Sequence, residues 1–440
     1  MLSELLAKSM LWGGAFLFPI SIEFIKNSIM VPTVLYSAIK SKKRAKSTET
    51  PLISLLIPVY NSAKTLKMCL DSVANQTYPA DKIEIFLLNN GQDDGSHEIF
   101  QSFHNEHPEL NMWWLDTKAG KSKALNKGIF LSKGKYIINI DSDGWLDKEA
   151  LSNVVSRFET SPDISCMTGV VLTDPHLIEQ TKSKSLKRLQ KCEFFEYIES
   201  FLVGRNFQST TNNLYTLAGA FSCFRREVIG KTSLYNFDTL GEDTHMTLQV
   251  RNQEKGKIAL CENAFIYVDP IESLDKLYMQ RQRWQRSVIE MAQMFKEYHT
   301  GGIVDLFKKP LMRLFILDHT LLLLRAIWVS TLVYFLTINY PIPYLVAGLA
   351  MLYAIYIGNS LLYQRMALLF IDKSSPIRSY IKKNQYVSFG MMSYRFLLFL
   401  TRLAGIVNSL TSEAKWYAKP LSQEFNEVKA MFSFKKLRKN

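Results

Sequence analysis

The sequence predicts an α/β, Rossmann-like domain with a mostly parallel sheet, placed in the cytoplasm and joined to α-helical transmembrane and interfacial segments. Between residues 52 and 141, short apolar runs alternate with helical segments, which is the pattern of βαβ units. Two apolar runs at 314–338 and 344–363 are each long enough to cross a bilayer core of roughly 30 Å. Basic segments flank these runs, as expected on the cytoplasmic side of a membrane.

The first four strands are predicted from apolar runs whose continuity indicates burial on both faces of a sheet. The runs are LISLLIPVY at 52–60, KIEIFLLNN at 82–90, MWWLD at 112–116 and KYIINID at 135–141, and a helical segment at 64–76 follows the first. Open parallel sheets carry their chemistry at the carboxyl ends of the strands. The polar residues that follow these runs are therefore the first candidates for a functional site.

Composition limits the class of protein. The chain has 440 residues with 53 basic and 40 acidic side chains, a net charge of +13, and 47% of its residues are hydrophobic. This fits either a nucleic-acid binder or a membrane protein with basic flanks, and the positive charge clusters beside apolar runs, so we expect no nucleic-acid partner. The five cysteines are scattered and form no CxxC pair, which fits reduced thiols rather than a disulfide framework or a zinc site.

The chain divides into five predicted segments. They are an N-terminal membrane anchor with a basic linker (1–50), the α/β domain (51–270), interfacial amphipathic helices (271–313), transmembrane helices (314–411) and a basic tail (412–440). The apolar region at 10–39 lacks a small-residue cleavage site, so it is interpreted as an anchor rather than a removed signal peptide. The apolar run at 386–407 carries two arginines, and the charge pattern leaves open whether it spans the membrane or is re-entrant or interfacial.

Two carboxylates, Asp141 and Asp143, follow the fourth strand in the stretch INIDSDGWLD. At positions i and i+2 of extended backbone their side chains would point the same way. Two carboxylates at a strand end form an oxygen site for Mg²⁺ or Mn²⁺, which could bridge a diphosphate. The alternative is a solvated turn, because Asp, Ser and Gly are common turn residues.

Three further stretches carry candidate chemistry. In KAGKSKALNKGI (118–129), Lys121 and its neighbours stand near a helix start and could hold phosphate oxygens, or could form a basic surface loop. In GEDTHM (241–246), one of two adjacent acids could act as general base, or both could be favoured only by the helix dipole. In QRQRWQRS (280–287), a helix would place Gln280, Arg283, Trp284 and Ser287 on one face, where an arginine suits a diphosphate and an indole suits a sugar ring.

Taken in order, IPVYN, NGQDDGS, GKSKALNKGI, DSD, GED and QRQRW resemble the motifs of the inverting family 2 glycosyltransferases, whose α/β domain has the GT-A fold. The resemblance covers about residues 52–290 and the flanking membrane segments. It is closest to processive, membrane-embedded members such as cellulose, hyaluronan and poly-N-acetylglucosamine synthases, and within these to the glycosyltransferases that accompany exosortase systems. The order and spacing of the motifs are specific, whereas no single motif is.

The resemblance implies a role for each matching position. Asp243 would be the catalytic base, and Asp141 and Asp143 would hold the metal. The implied donor-binding residues are Tyr60, Asn89, Asn90, Lys121, Asp141, Gln280 and Arg283, and the implied acceptor-binding residues are Gly219 and Trp284. One departure concerns the second strand, where the family has an aspartate that reads uracil. Continuing the strand puts Asn89 and Asn90 there, whereas sliding the register by four residues would put Asp93 and Asp94 there.

The implied reaction transfers a sugar from a UDP-sugar to a growing polysaccharide with inversion, at the plasma membrane and with the catalytic domain in the cytoplasm. The expected partners are the UDP-sugar donor, a glycan or lipid-linked acceptor, the lipid bilayer and accessory membrane subunits. The alternatives are a single-sugar transferase acting on a polyprenyl phosphate or lipid-linked glycan, and an inactive scaffold that binds nucleotide-sugar. Charged residues in the apolar segments could line a polar path through the membrane or could pair between helices. These residues are Asp318, His319, Arg325, Arg395 and Arg402.

The face of the QRQRWQRS helix opposite the predicted ligands carries Arg281, Gln285 and Arg286. With no motif assigned to them, these three side chains are expected to meet water or lipid headgroups.

Overall fold

The computed structural model describes residues 8–91, 94–254, 256–294, 310–411, 419–426 and 429. Within these residues the strands are β1 Ile53–Val59, β2 Ile83–Asn89, β3 Asn111–Asp116, β4 Tyr136–Ile140, β5 Gly144–Leu146, β6 Ile164–Thr173, β7 Phe221–Arg225 and β8 Lys257–Val268. They form one sheet in the order β3-β2-β1-β4-β7-β6-β8-β5.

Helices cover the sheet and extend beyond it. In chain order they are α1 Phe18–Lys42, α2 Leu66–Ala74, α3 Ser96–Glu106, α4 Lys121–Leu131, α5 Ala150–Glu159, α6 Pro175–Gln180, α7 Lys184–Tyr197, α8 Arg205–Thr210, α9 Arg226–Ile229, α10 Glu242–Glu254, α11 Leu274–Met294, α12 Pro310–Thr337, α13 Ile342–Ala367, α14 Pro376–Lys383 and α15 Met391–Thr411. A π-helical segment, Ile198–Gly204, connects α7 to α8.

The four predicted strands are confirmed as β1 to β4, and these four pair in parallel. All seven residues of β1 are buried. Alternate residues of β1 enter different cores, since Ile53, Leu55 and Ile57 pack in one cluster and Leu56 packs in another. A strand buried on both faces needs an uninterrupted apolar run, which is why the sequence pattern identified this strand.

The other half of the sheet is mixed, but β6 and β8 pair in parallel, so four of the seven described strand pairings are parallel and the prediction of a mostly parallel sheet holds. β7 runs antiparallel to both β4 and β6, and β5 runs antiparallel to β8. β7 enters the sheet at the carboxyl end of β4, where Asp141 N donates to Ala220 O at 3.3 Å, so it must run in the opposite direction. The antiparallel pairing therefore brings the end of β4 and the start of β7 to the same edge of the sheet.

The basic linker after α1 is packed against the α/β domain. Arg44 pairs with the buried carboxylate of Glu262 at 3.0 Å, and Ser47 N donates to Ser156 Oγ at 2.9 Å. Burial opposes ionisation of Glu262, but Arg44 and Arg157 keep its pKa below the usual value. The linker is therefore attached to the domain at two points.

Two of the described helical regions are long and apolar enough to cross a membrane: Lys8–Lys42 and Ile342–Ala367. The predicted run at 314–338 lies in α12, but its side chains are described only from Leu321 onward, and Leu321–Thr337 is a shorter apolar helix. The predicted run at 386–407 is broken into a 3₁₀ turn, Gln385–Phe389, and α15.

The arginines of α15 pair with other helices. Arg395 donates to Glu199 at 2.5 Å, and Arg402 Nε donates to Gln285 Oε1 at 2.9 Å. For these two residues the geometry is that of helix–helix pairing, the alternative to a polar path. Arg325 is exposed, and the side chains of Asp318 and His319 lie outside the described part of the chain.

Candidate active site

Asp141 and Asp143 lie in the turn between β4 and β5. Strand β4 ends at Ile140, and Gly144 N closes the turn by donating to Asp141 O at 3.1 Å. The prediction of extended backbone at these positions is wrong, because the chain turns here to begin β5. The two acids nonetheless share one turn, and desolvation with the charge of Asp141 raises the pKa of Asp143 to about 6, although the Asp143 side chain is exposed.

Lys121 lies at the centre of the acidic residues. It stands at the start of α4, its Nζ donates to the Asp141 carboxylate, and it lies 4.0 Å from Glu242 Oε1. Burial alone would lower the pKa of this lysine, but Asp141 and Glu242 hold it above the usual range. The sequence predicted a phosphate-binding lysine, and the structure gives a charged lysine joining the β4 turn to α10.

Glu242 and Asp243 form the first turn of α10, as the dipole argument expects of acids at a helix start. Burial raises the pKa of both carboxyl groups, and the positive charge of Lys121 opposes this rise. Asp243 Oδ1 accepts a hydrogen bond from Thr244 N at 2.7 Å, which fixes the orientation of the carboxylate. A carboxylate with a raised pKa is a better proton acceptor near neutral pH.

Gly219 borders both the acid and the lysine. A Cβ at this position would lie 3.4 Å from Asp243 Oδ2 and 3.4 Å from Lys121 Nζ, so the glycine leaves space between the two groups. The backbone here is also fixed, because Asn139 Nδ2 donates to Gly219 O at 2.8 Å. The structure thus brings together four predicted site residues: Lys121, Asp141, Gly219 and Asp243.

Arg205 is a site residue that the sequence reasoning missed. It is 9% exposed, its guanidinium lies 4.7 Å from the ring centroid of Phe201, and its charge acts on Asp243. The stretch FLVGRNF (201–207) holds one cation among apolar and aromatic residues. That isolation was the available signal, because an apolar segment does not bury a charge without a partner.

The predicted motif helix, α11, packs beside the GED loop. A Cβ on Gly241 would lie only 2.3 Å from Ser287 Oγ, so the close approach of α11 to this loop depends on glycine. Leu240 N also donates to Glu290 Oε2 at 3.0 Å. Ser287 shares its helix face with Gln280, Arg283 and Trp284. At Ser287, that face therefore lies against Gly241, the residue before the first turn of α10, which carries Asp243.

Trp284 and Gln280 have further neighbours. The Trp284 ring lies 6.0 Å from Phe201 and 6.4 Å from Tyr197, measured between centroids. Gln280 Oε1 is buried and accepts no hydrogen bond from the described part of the chain. A buried amide oxygen without a donor is costly unless another group supplies one.

The opposite face of α11 is buried, and the prediction that it meets water or headgroups is wrong. Arg281 and Gln285 are each 5% exposed and Arg286 is 8% exposed. Arg281 pairs with Glu196 at 2.7 Å and stacks on Trp284, with 4.2 Å from its guanidinium carbon to the ring centroid. α7 and α15 cover this face, which a pattern confined to α11 could not reveal.

The predicted nucleotide-binding residues lie at the carboxyl ends of β1 and β2. Tyr60 is 52% exposed, and a Cβ on Gly91 would lie 3.1 Å from its ring. Asn89 Nδ2 donates to Asp116 Oδ1 at 2.9 Å. The Asn90 amide is buried; oriented to satisfy both neighbours, it donates to Val59 O at 2.8 Å and accepts from Lys121 N at 3.2 Å. Strand β2 ends at Asn89. This is the register that places Asn89 and Asn90, rather than Asp93 and Asp94, at the end of the second strand.

A cavity of about 300 Å³ opens beside the acid cluster. Its lining comes from the segments 119–123 and 237–240 together with Glu242 and Glu290. Phe237 is 61% exposed there, with Lys123 Nζ 5.7 Å from its ring centroid. The cavity is large enough for a small ligand and is lined by both charged and aromatic groups.

The donor set at the β4 turn suits a hard divalent cation. The described residues contain no cluster of three or more acidic, histidine or cysteine side chains that could hold a metal by itself. Asp141 and Asp143 do supply two carboxylates whose mutual repulsion a cation would relieve. Mg²⁺ and Mn²⁺ sites of this kind use one or two carboxylates and complete the shell with water and phosphate oxygens.

Comparison with known proteins finds similarity to glycosyltransferases. The family model described as glycosyl transferase family 2 matches residues 54–232. The poly-β-1,6-N-acetyl-D-glucosamine synthase of Staphylococcus epidermidis is 25% identical over 262 residues, which are 58% of this chain and 60% of that protein. Glycosyltransferase AglE of Haloferax volcanii is 36% identical over 103 residues, 22% of this chain and 34% of that protein. The chain thus spans less than two thirds of the length of either relative.

A solved structure extends the fold comparison over most of the chain. The mannosyltransferase PcManGT from Pyrobaculum calidifontis, in complex with GDP-Man and Mn²⁺, superposes with a TM-score of 0.54. The alignment covers 88% of this chain and 96% of that one at 16% sequence identity, so it bears on the fold alone. The mixed sheet with flanking helices matches the GT-A, Rossmann-like fold that the sequence predicted.

Proposed function

We propose that this protein is a membrane-bound inverting glycosyltransferase, because residues 54–232 match the family model described as glycosyl transferase family 2 and the chain is similar to poly-β-1,6-N-acetylglucosamine synthases. It would transfer a sugar from a UDP-sugar to a growing β-linked polysaccharide. The observation that carries the proposal is the cluster of Asp243, Lys121 and Asp141 around Gly219. In this cluster a buried carboxylate lies beside a charged lysine and beside the β4–β5 turn that carries Asp141 and Asp143.

Asp243 is the proposed general base. Its carboxylate, fixed by Thr244 N, would accept the proton of the acceptor hydroxyl as that oxygen attacks the anomeric carbon. The bond to the departing diphosphate breaks on the opposite side, so an α-linked donor gives a β-linked product. The raised pKa of Asp243 suits a base that must take up a proton near neutral pH.

Asp141 and Asp143 are the proposed ligands of Mg²⁺ or Mn²⁺. The cation would neutralise charge that develops on the departing diphosphate. Lys121, which donates to Asp141 in this structure, lies close enough to the same turn to donate to a phosphate oxygen instead. Exchanging one anionic partner for another costs a lysine less free energy than transferring its charge from water into the protein would.

The acceptor is proposed to lie between Gly219 and Trp284. Gly219 leaves open space in front of the base, and the Trp284 ring with Tyr197 and Phe201 offers an aromatic wall for a sugar ring. Gln280 and Arg283 occupy the same face of α11 and are proposed to contact the diphosphate. The buried Gln280 oxygen would then find its missing donor in a bound hydroxyl.

The membrane part of the proposal rests on the apolar helices. Lys8–Lys42 and Ile342–Ala367 are proposed to cross the plasma membrane, with the α/β domain in the cytoplasm. A lipid-linked acceptor and accessory membrane subunits are part of the same proposal. Transfer of a single sugar to a polyprenyl phosphate is the competing outcome, and product length decides between the two.

The test is a panel of radiolabelled UDP-sugars offered to membranes that contain the wild-type chain or Asp243→Asn. Asp163→Asn is the matched control, because Asp163 is an exposed acid that pairs with Lys257 at 3.5 Å at the start of β6 and β8. We expect incorporation by wild type and the control but not by Asp243→Asn. Equal incorporation by all three would reject Asp243 as the base, and a product limited to one sugar per lipid would reject the polymerase.

A further inference from the structure

The loop 216–219 places Gly219 beside the proposed base, yet it belongs to no strand. Its described backbone pairing is an isolated bridge between Ala218 and Phe221. The N–H groups of Leu217 and Ala218 donate instead to the hydroxyl oxygens of two threonines from different elements. Both residues are buried, and a buried N–H group needs an acceptor. The two threonines therefore fix the path of the loop.

Thr168, in β6, holds the loop from the side of the sheet. Its side chain is buried, and its Oγ1 accepts from Ala218 N at 3.0 Å and donates to Phe221 O at 2.8 Å, with Gly169 O also 3.1 Å away. Nη1 of Arg205 donates to the same hydroxyl oxygen at 3.4 Å. A hydroxyl has one hydrogen and two lone pairs, so these bonds use all of its capacity. β6 also shifts register with β8 directly after Thr168, and such irregularities redirect side chains.

Thr247, on α10, holds the loop from the side of the base. Its Oγ1 accepts from Leu217 N at 3.0 Å and donates to the backbone carbonyl of Asp243 at 2.6 Å, one helical turn earlier. The hydroxyl oxygens of Thr216 and Thr244 lie 2.7 Å apart and add a second link. The loop is thus joined side by side to the turn of helix that carries the proposed base.

We propose that Thr168 and Thr247 are positioning residues for glycosyl transfer, which hold Gly219 at a fixed distance from Asp243 so that the acceptor hydroxyl meets the base. The inference rests on the proposed function and adds two residues that no motif assigns. Both threonines are 0% exposed, so neither touches a substrate and each acts through the loop.

The space that the loop leaves in front of the base is narrow. A Cβ on Gly219 would lie only 3.4 Å from Asp243 Oδ2, so a displaced loop would either fill this space or widen it. A displacement of about 1 Å between reacting groups can cost on the order of a hundredfold in rate. Loss of one hydroxyl bond to the loop should therefore slow the chemical step, even though the donor still binds.

The test is steady-state transfer by the purified full-length protein in detergent, with the UDP-sugar that wild type incorporates in the panel above. Thr168→Val keeps the shape of the side chain and removes the hydroxyl, whereas Thr168→Ser keeps the hydroxyl. We expect Thr168→Val to lower kcat on the order of ten- to a hundredfold. The KM for the donor and the affinity for UDP with Mn²⁺ should stay unchanged, and Thr168→Ser should recover kcat.

Thr173→Val is the matched control. Thr173 is also 0% exposed and lies in the same strand, and its hydroxyl has no hydrogen-bond partner in the described part of the chain. This replacement removes an equally buried hydroxyl from β6, but one that does not bond to the loop. We expect it to keep the wild-type kcat.

The outcomes separate positioning from support of the fold. Unchanged kcat per UDP-binding site in Thr168→Val would overturn the proposal, and so would an equal loss in Thr173→Val or a failure of Thr168→Ser to recover kcat. If Thr168→Val does not bind UDP, Thr247→Val carries the same expectation from the side of α10. Failure of both variants to bind UDP would overturn the proposal, because the threonines would then only support the fold. A wild-type protein that incorporates no UDP-sugar would instead reject the proposed function.

Discussion

Replacement of Arg281 by methionine tests how α11 is held in place. The guanidinium pairs with Glu196 at 2.7 Å and stacks on the ring of Trp284, while methionine keeps only the apolar stem. The Arg281 side chain is 5% exposed and that of Glu196 is 18% exposed, so the pair is largely removed from water. The substitution therefore leaves the Glu196 carboxylate with little solvent to replace its partner.

The expected loss of unfolding free energy in Arg281→Met depends on how deeply the ion pair is buried and on the hydrogen bonds that Glu196 keeps. Removal of one partner of a buried ion pair costs about 3–5 kcal/mol of unfolding free energy. Tyr394 still donates to Glu196 at 2.7 Å, so we expect the lower end of that range, about 3 kcal/mol. Glu196→Gln should also destabilise the protein, because it leaves the guanidinium buried without a counter-charge.

The assay is urea unfolding of the full-length protein in detergent, followed by tryptophan fluorescence, for wild type, both single variants and the double variant. We expect the double variant to be more stable than the sum of the single losses predicts, by about 1–3 kcal/mol. Additive losses to within about 0.5 kcal/mol would refute the reasoning, since the two side chains would then act independently.

Three further predictions concern catalysis, metal and pH. Asp243→Asn should lower the transfer rate by about 10²–10⁴ while donor affinity is retained, as measured by initial rates and UDP titration. Asp143→Asn should abolish the difference in UDP affinity between Mn²⁺ and EDTA, because it removes one of two carboxylates at the β4 turn. Glu193 is 1% exposed and burial raises its pKa to about 7 from 4.5, so the folded protein binds more protons than the unfolded chain between these values. Stability should therefore fall as pH rises from about 4.5 to 7, and Glu193→Gln, measured by thermal unfolding across that range, should make this fall smaller than in the wild type.

Sequence reasoning located the parallel half of the sheet because β1 to β4 are continuous apolar runs with helices between them. The same reasoning brought Lys121, Asp141 and Asp243 to one edge, since strand ends and a helix start converge there. It did not foresee β5 to β8, of which β5 and β7 have three and five residues and no pattern long enough to indicate direction. Short strands take their orientation from their neighbours in the sheet.

The two faces of α11 show a different limit. Both faces are polar, so hydrophobic periodicity could not tell which was buried. Arg281 is buried because Glu196, 85 residues earlier in the chain, and Tyr394, on α15, lie against it. Contacts between distant segments decide which face is buried, and a local pattern contains no information on them.

The linker is attached to the α/β domain, and with the proposed membrane placement this attachment would set the height of the candidate active site above the membrane. From Lys42, where α1 ends, to Ile53, where β1 begins, a free chain could extend about 35 Å and let the domain move widely. Arg44 and Ser47 hold that chain against Glu262 and Ser156 instead. With α1 in the bilayer as proposed, the cleft stays at one distance from the lipid surface. The acceptor must then travel to a stationary site, and only an acceptor whose reactive end reaches that height can be extended.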